Sequence, residues 1–198
     1  MTASPLAGRR LPGAVLIVAA IWLGLAVLAG TTGMLVRLPF PGPQLLFATL
    51  FMAALVSATL VPSVRDWVDA LPLRALIGIN ATRFIGISFL VLAARGQLAP
   101  MFANRAGWGD IVTAALAIVL FLAGDPRTAA QRSLVHVWNV FGFLDLVVAV
   151  GTATWVTVNG MTPGVQAMLS WPLSVVPLFF VPLFLTIHVL IARRLLAR

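Results

Sequence analysis

Residues 133–157 read SLVHVWNVFGFLDLVVAVGTATWVT, 25 positions with one formal charge, Asp145. As an α-helix at ~1.5 Å per residue the run is about 37 Å long. The hydrocarbon core of a bilayer is about 30 Å thick. A helix that is apolar all round is buried in protein or in lipid. This stretch therefore reads as a membrane span, and its polar residues must face other protein.

Working outward, five further apolar runs flank it, at 12–34, 44–62, 75–95, 110–124 and 172–192. The fold class that follows is all-α, a polytopic membrane helix bundle with six transmembrane helices in a single domain over 1–198. The 110–124 run is short. It covers only about 22 Å and calls on the preceding segment or on local bilayer thinning. Composition agrees: 61% of residues are hydrophobic, 9% are charged, and mean hydropathy is +1.07. A soluble domain carries charge on about a quarter of its residues.

The basic residues fix an expected orientation. All 13 are Arg. With six spans and the N-terminus inside, Arg9, Arg10, Arg65, Arg74, Arg127, Arg132, Arg193, Arg194 and Arg198 flank the cytoplasmic side, nine in all, against three outside, Arg37, Arg95 and Arg105. That bias obeys the positive-inside rule and predicts both termini in the cytoplasm. The net charge of +8 is thus a loop-anchoring pattern, not a nucleic-acid face. The first run reads as a span rather than a signal peptide, because it exceeds the ~7–15 residues of an h-region. An Ala-, Arg-, Gly- and Pro-rich chain without Lys fits a GC-rich bacterial genome, and so a bacterial cytoplasmic (inner) membrane.

Absences narrow the chemistry. The chain has no Cys, Lys, Glu or Tyr. Disulfides, thiolate metal sites, a lysine Schiff base and the Glu-x-x-His sites of di-iron bundles are excluded. Ser57, Ser88 and Thr82 lack an evident nearby base, so nucleophilic catalysis is not expected. No metal site is read.

The connections carry helix-start signals. Ser63-Val64-Arg65-Asp66 resembles a capping box before an amphipathic turn at 63–71. Asp125-Pro126 reads as an N-cap with Pro at the first helical position, and Thr162-Pro163 repeats the device before a short interfacial helix. Residues 96–110 read as a long external loop. Asp110 would then cap span four, with Asn104 and Arg105 as a polar lip for an outside solute. Pro177 and Pro182 should free the carbonyls of Leu173 and Leu178 in the last span.

Polar residues inside spans are functional candidates by default. Arg83 and Asp145 lie at similar depth on spans three and five, so an ion pair facing the bundle interior is expected. Asn80 and Asn139 match in depth nearer the cytoplasm and suggest an amide bridge between helices. Gly86 and Gly142 permit close helix approach. His136 and His188, the only histidines, share a depth on spans five and six. That depth would suit a bis-imidazole haem b site.

The segments Arg83-Phe-Ile-Gly86, Phe102-Ala103-Asn-Arg-Ala106-Gly107-Trp-Gly109-Asp110 and Trp138-Asn139-x-x-Gly142-x-x-Asp145 together resemble an uncharacterised family of small bacterial integral membrane proteins. The likeness spans about residues 75–150. It implies a bacterial inner-membrane setting and one shared site for these motifs, and it implies no activity.

Three functions follow as expectations. The first is binding or transport of a small polar or anionic solute, or a proton, at a buried Arg–Asp centre, with Arg83, Asp145, Asn139, Asn80, Asp110, Asn104 and Arg105 as ligand-binding candidates. The second is electron transfer through haem b on His136 and His188. The third is a structural or assembly subunit, partnered by a membrane complex or by a second copy. In each case the lipid bilayer is the solvent and nucleic acid is not a partner.

Overall fold

The computed structural model describes residues 13–197, which form helices joined by turns, the longest connection running over 159–175 with one 3₁₀ turn inside it. In chain order the elements are α1 (Gly13–Thr31), α2 (Met34–Arg37), α3 (Gly42–Leu60), α4 (Pro62–Ala70) and α5 (Leu73–Gly78). A 3₁₀ segment, Ile79–Ile85, joins α5 to α6 (Gly86–Ala94). Then come α7 (Pro100–Ala123), α8 (Ala129–Val158), a 3₁₀ turn at Gln166–Leu169, a π-helical turn at Val176–Phe180 and α9 (Val181–Leu196).

Five helical segments are long and apolar enough to cross a membrane: Gly42–Leu60, Leu73–Ala94, Pro100–Ala123, Ala129–Val158 and Val176–Leu196. The first apolar helix is shorter, apolar over Val15–Thr31. Of the six runs read from sequence, five are thus matched by helices of spanning length. Arg9, Arg10 and Arg198, used in the orientation argument, lie outside the described residues.

Helix α7 is the middle of the bundle. It packs against α5, the 3₁₀ segment and α6 on one side and against α8 on the other. Helix α9 lies against α8, α3 and α5. The core beside it is built from Ile77, Trp138, Leu146, Phe184, Leu185 and Ile191, among others. A second core joins Phe89, Phe102, Val156 and Met168. The periphery is apolar as well: Leu16, Ile17, Val18, Leu25 and Leu28 of α1 and Leu45, Met52 and Leu60 of α3 are exposed. In water so large an apolar patch would aggregate, whereas lipid tails solvate it.

Helix α7 departs most from the sequence reading. Residues 100–110 are helix, not loop, so the fourth span is 24 residues long and needs no thinning of the bilayer. Pro100 supplies the helix start, where a missing N–H is harmless. The Gly-, Asn- and Asp-rich composition suggested a loop. Within a bundle, however, backbone groups must be satisfied inside the chain, and helix is the simplest way to do it. Asp110 therefore sits eleven positions into the helix and caps nothing.

Other caps also moved. Helix α8 is capped by Thr128, whose Oγ1 accepts from the Gln131 N–H while Gln131 Oε1 accepts from the Thr128 N–H, a reciprocal capping box. Asp125 instead accepts from the Arg74 backbone N–H at 3.0 Å. Helix α4 starts at Pro62 without a side-chain cap, so Ser63 plays no capping part. The helix expected after Thr162-Pro163 is a single 3₁₀ turn entered from Val165.

The prolines of the last span act as expected, with their freed carbonyls taken up elsewhere. Leu173 O accepts from the Val176 N–H at 2.9 Å. Leu178 O accepts from Trp22 Nε1 at 2.8 Å, which ties α1 to the π turn. At the Arg-rich end, Arg193 pairs with Asp69, and Arg194 donates to the carbonyls of Val68 and Leu71. These contacts hold the C-terminal turn of α9 on α4.

Candidate functional site

Arg83 is fully buried, with 0% of its side chain accessible. The 3₁₀ segment accounts for its placement. At three residues per turn, positions i and i+3 eclipse, so Asn80 and Arg83 both point inward, and both are buried. All three guanidinium nitrogens are engaged. Nε donates to Asp110 Oδ1 at 2.7 Å, and Nη2 donates to Asp145 Oδ2. Nη1 donates to the Gly142 carbonyl at 3.1 Å and lies 3.3 Å from His188 Nε2. The Phe184 ring sits 5.9 Å from the guanidinium carbon, within cation–π range.

The hydrogen bonds assign the histidine. Arg83 has only donors, so His188 Nε2 must accept. The proton then sits on Nδ1, which donates to Asn139 Oδ1 at 2.8 Å. Asn139 Nδ2 closes the loop by donating to the His188 carbonyl at 3.0 Å. Trp138 stacks at an angle on His188, centroids 5.5 Å apart, and donates to the Thr113 carbonyl. Four segments thus meet at one guanidinium: the 3₁₀ turn, α7, α8 and α9.

The charge count is uneven. One guanidinium faces two carboxylates, so with both carboxylates ionised the trio carries −1 (+1 −1 −1). His188, as the neutral tautomer, adds nothing. The carboxylates are less sealed than the arginine: 10% of the Asp110 side chain and 8% of that of Asp145 remain accessible. A family model described as Domain of unknown function (DUF8737) matches residues 40–196, which includes every member of this cluster. The chain belongs to that family. No curated protein and no solved structure matches the chain.

Within the DUF8737 segment, four glycines make room for the cluster. A Cβ on Gly86 would stand 2.7 Å from Asp110 Cβ and 2.8 Å from the Gly107 carbonyl oxygen. One on Gly107 would meet the Gly86 carbonyl oxygen at 2.9 Å. One on Gly109 would lie 1.6 Å from Asp145 Oδ1, and one on Gly142 would lie 2.6 Å from His188 Cε1. The glycines read for close approach, Gly86 and Gly142, are thus the ones that α7 and α9 press against. Gly107 and Gly109 extend the same cradle. Local propensity over 96–110 favours a loop and masks their role, and the Gly-x-Gly-Asp motif is its one sequence signal.

The fold gathers most of the residues singled out from sequence. Arg83, Asp110, Asp145, Asn139 and His188 form one hydrogen-bonded cluster. Asn80 lies beside Arg83 but does not bridge to Asn139. Its Nδ2 donates to the Leu76 carbonyl, and its Oδ1 has no partner among the described residues. Asn139 instead serves His188, which replaces the expected amide bridge. Asn104 and Arg105 are on an exposed face of α7, not on a loop, and Arg105 donates to Thr152 Oγ1 at 3.4 Å. His136 is half-buried on α8 and takes no part in the cluster. Both ring nitrogens of His188 are engaged in these hydrogen bonds. Among the described residues no group of three or more His, Cys, Asp or Glu forms a metal site.

Proposed function

We propose that this protein binds and releases a proton at the Arg83–Asp110–Asp145 centre, within a six-span bundle of the bacterial inner membrane. The observation that carries the reading is the one guanidinium shared by two carboxylates. A lone buried charge in a low-dielectric interior costs several kcal/mol. One proton on either carboxylate brings the trio to neutrality, and two coupled carboxylates share such a proton as a pair. Intramembrane ionisable groups of this kind mark proton relays and coupled transport.

The centre does not favour an anion. Arg83 has its three nitrogens committed within the protein, and the surrounding net charge is negative or zero. The small-solute reading therefore narrows to a proton, with any solute coupled to it neutral or cationic. Asp110 and Asp145 are the groups that exchange the proton. Arg83 holds them together, while His188 and Asn139 position Arg83 through Nη1.

Orientation follows the Arg distribution. Asp69, Asp125, Arg132, Arg193 and Arg194 line one cavity, and the Arg74 N–H bonds to Asp125, which supports one Arg-rich side that also takes Arg65 and Arg127; alternating spans assign Arg37, Arg95 and Arg105 to the other. By the positive-inside rule the first side is cytoplasmic, with both termini in and α1 as the sixth span.

Infrared difference spectroscopy on membranes carrying the protein tests the proposal. Acidification should produce a protonated-carboxyl stretching band in the wild type. Asp110→Asn and Asp145→Asn should each remove or shift it, because the proton belongs to the pair. A wild-type spectrum without such a band, or one indifferent to both substitutions, would show that the trio is a permanently ionised clamp.

A further inference from the structure

A cleft of about 110 Å³ has Asp110 in its lining. Its walls are Gln44 and Phe47 of α3, Phe89 of α6, Phe102 of α7, Ala153 of α8 and Pro177 of the π turn. The lining is mostly apolar, with Gln44, Asp110 and Thr154 as its polar side chains. Asp110 presents a carboxylate, and Gln44 Oε1 is buried with no hydrogen-bond partner among the described residues. Thr154 directs its hydroxyl hydrogen to the Val150 carbonyl at 3.0 Å and leaves its lone pairs available. An ionised Asp110 only accepts, so a donor suits it, and Gln44 Oε1 can accept from the same group. A buried acceptor left unmet is costly, which makes the Gln44 oxygen a pointer to an occupant.

Two departures from α-helix flank the same place. The π turn at Val176–Phe180 forms one wall, and the 3₁₀ segment carries Arg83 behind Asp110. Such segments recur at functional sites because they re-aim side chains at the expense of regular hydrogen bonding.

We infer that the cleft binds the head of an amphipathic amine, a protonated ammonium on an apolar body that enters from the lipid. The donor head answers Asp110 and Gln44, and its charge offsets the unbalanced negative charge of the trio, an argument that rests on the proton reading above. Phe47, Phe89 and Phe102 line the space around the head, and aromatic faces attract cations. The cavity is small beside the roughly 300–1,000 Å³ of a drug-sized pocket, so it takes the head and the first carbons, and the rest of the chain extends toward the lipid. Proton and amine then compete for one carboxylate, which is the minimum requirement for exchange of one against the other.

The test uses the full chain in lipid nanodiscs, with n-octylamine as the probe and n-octanol as a chain of equal length and no charge. Binding is read from the shift of the tryptophan-detected unfolding temperature against ligand concentration. Octylamine should raise that temperature at concentrations about tenfold lower than octanol, the worth of one charge-assisted hydrogen bond. Asp110→Asn should abolish the difference between the two probes. Ala153→Leu leaves the trio untouched and fills the cleft, and it should weaken octylamine to the level of octanol even if Asp110→Asn fails to fold. Equal potency of the two probes on the wild type, or an unchanged octylamine response in Ala153→Leu, would overturn the inference. The infrared band keeps the two readings apart. Loss of amine preference with the band intact refutes the cleft alone, whereas absence of the band refutes the proton reading and with it the competition between proton and amine.

Discussion

Gly109→Ala tests the architecture of the centre through a single methyl group. An alanine Cβ at this position would lie 1.6 Å from Asp145 Oδ1 and 2.3 Å from Asp145 Cγ. The backbone of α7 is mid-helix and packed on both sides, so Asp145 must move. The carboxylate is short, and it is held by Arg83 Nη2. Its displacement breaks that pair. Breaking a buried ion pair by losing one partner costs about 3–5 kcal/mol. The substitution also gains helix propensity, about 1 kcal/mol for Gly to Ala. The expected net effect is a loss of about 2–4 kcal/mol. In an Asp145→Ala background the obstructing carboxylate is gone, so the same substitution should be neutral or stabilising by up to about 1 kcal/mol. The sign of the effect should therefore reverse between backgrounds. Gly151 is an internal control, since it is exposed on α8 with nothing within 4 Å of its would-be Cβ. Gly151→Ala should stabilise in both backgrounds by a similar small amount. Graded unfolding of the purified protein in mixed micelles, followed by tryptophan fluorescence, measures all six forms. If Gly109→Ala is as harmless as Gly151→Ala in the wild-type background, Asp145 does not lie against α7 and the reasoning fails.

Two further outcomes follow. Arg83→Lys keeps the charge but replaces a planar fork by a compact ammonium, which cannot meet Asp110, Asp145 and the Gly142 carbonyl together. It should cost about 2 kcal/mol or more in the same unfolding assay, and wild-type stability would show that fork geometry is not used. The chain has no Cys, so Gln97→Cys and Arg127→Cys, both exposed on connections, report topology without background. A membrane-impermeant maleimide should label Gln97→Cys in intact spheroplasts and Arg127→Cys only after permeabilisation, and labelling of both from one side would overturn the span count.

Much of the bundle is legible along the chain because a membrane imposes a one-dimensional rule. A helix must be long and apolar enough to cross, and runs such as 133–157 declare themselves by composition. The Arg83–Asp145 pair is legible for the same reason: two opposite charges at similar depth have few ways to avoid hydrocarbon. What composition obscured is the start of α7. Gly107, Gly109, Asn104 and Asp110 are loop-forming residues by local propensity, and only the pressing of α6 and α8 against that helix explains why small residues belong there.

Sequence by itself determined the helical class, the apolar spans and the inventory of residues that lipid would reject. Tertiary structure decided which of those residues meet. It gave Arg83 a second carboxylate in Asp110, turned His188 toward Arg83 rather than toward His136, and left Asn80 apart from Asn139. The physical reason lies in the range of the two kinds of constraint. Burial in lipid acts on each residue separately and so leaves its mark on composition. Hydrogen bonding among buried groups depends on the rotation of each helix about its own axis, set here by glycines at the contacts and by a 3₁₀ turn that no local signal announced.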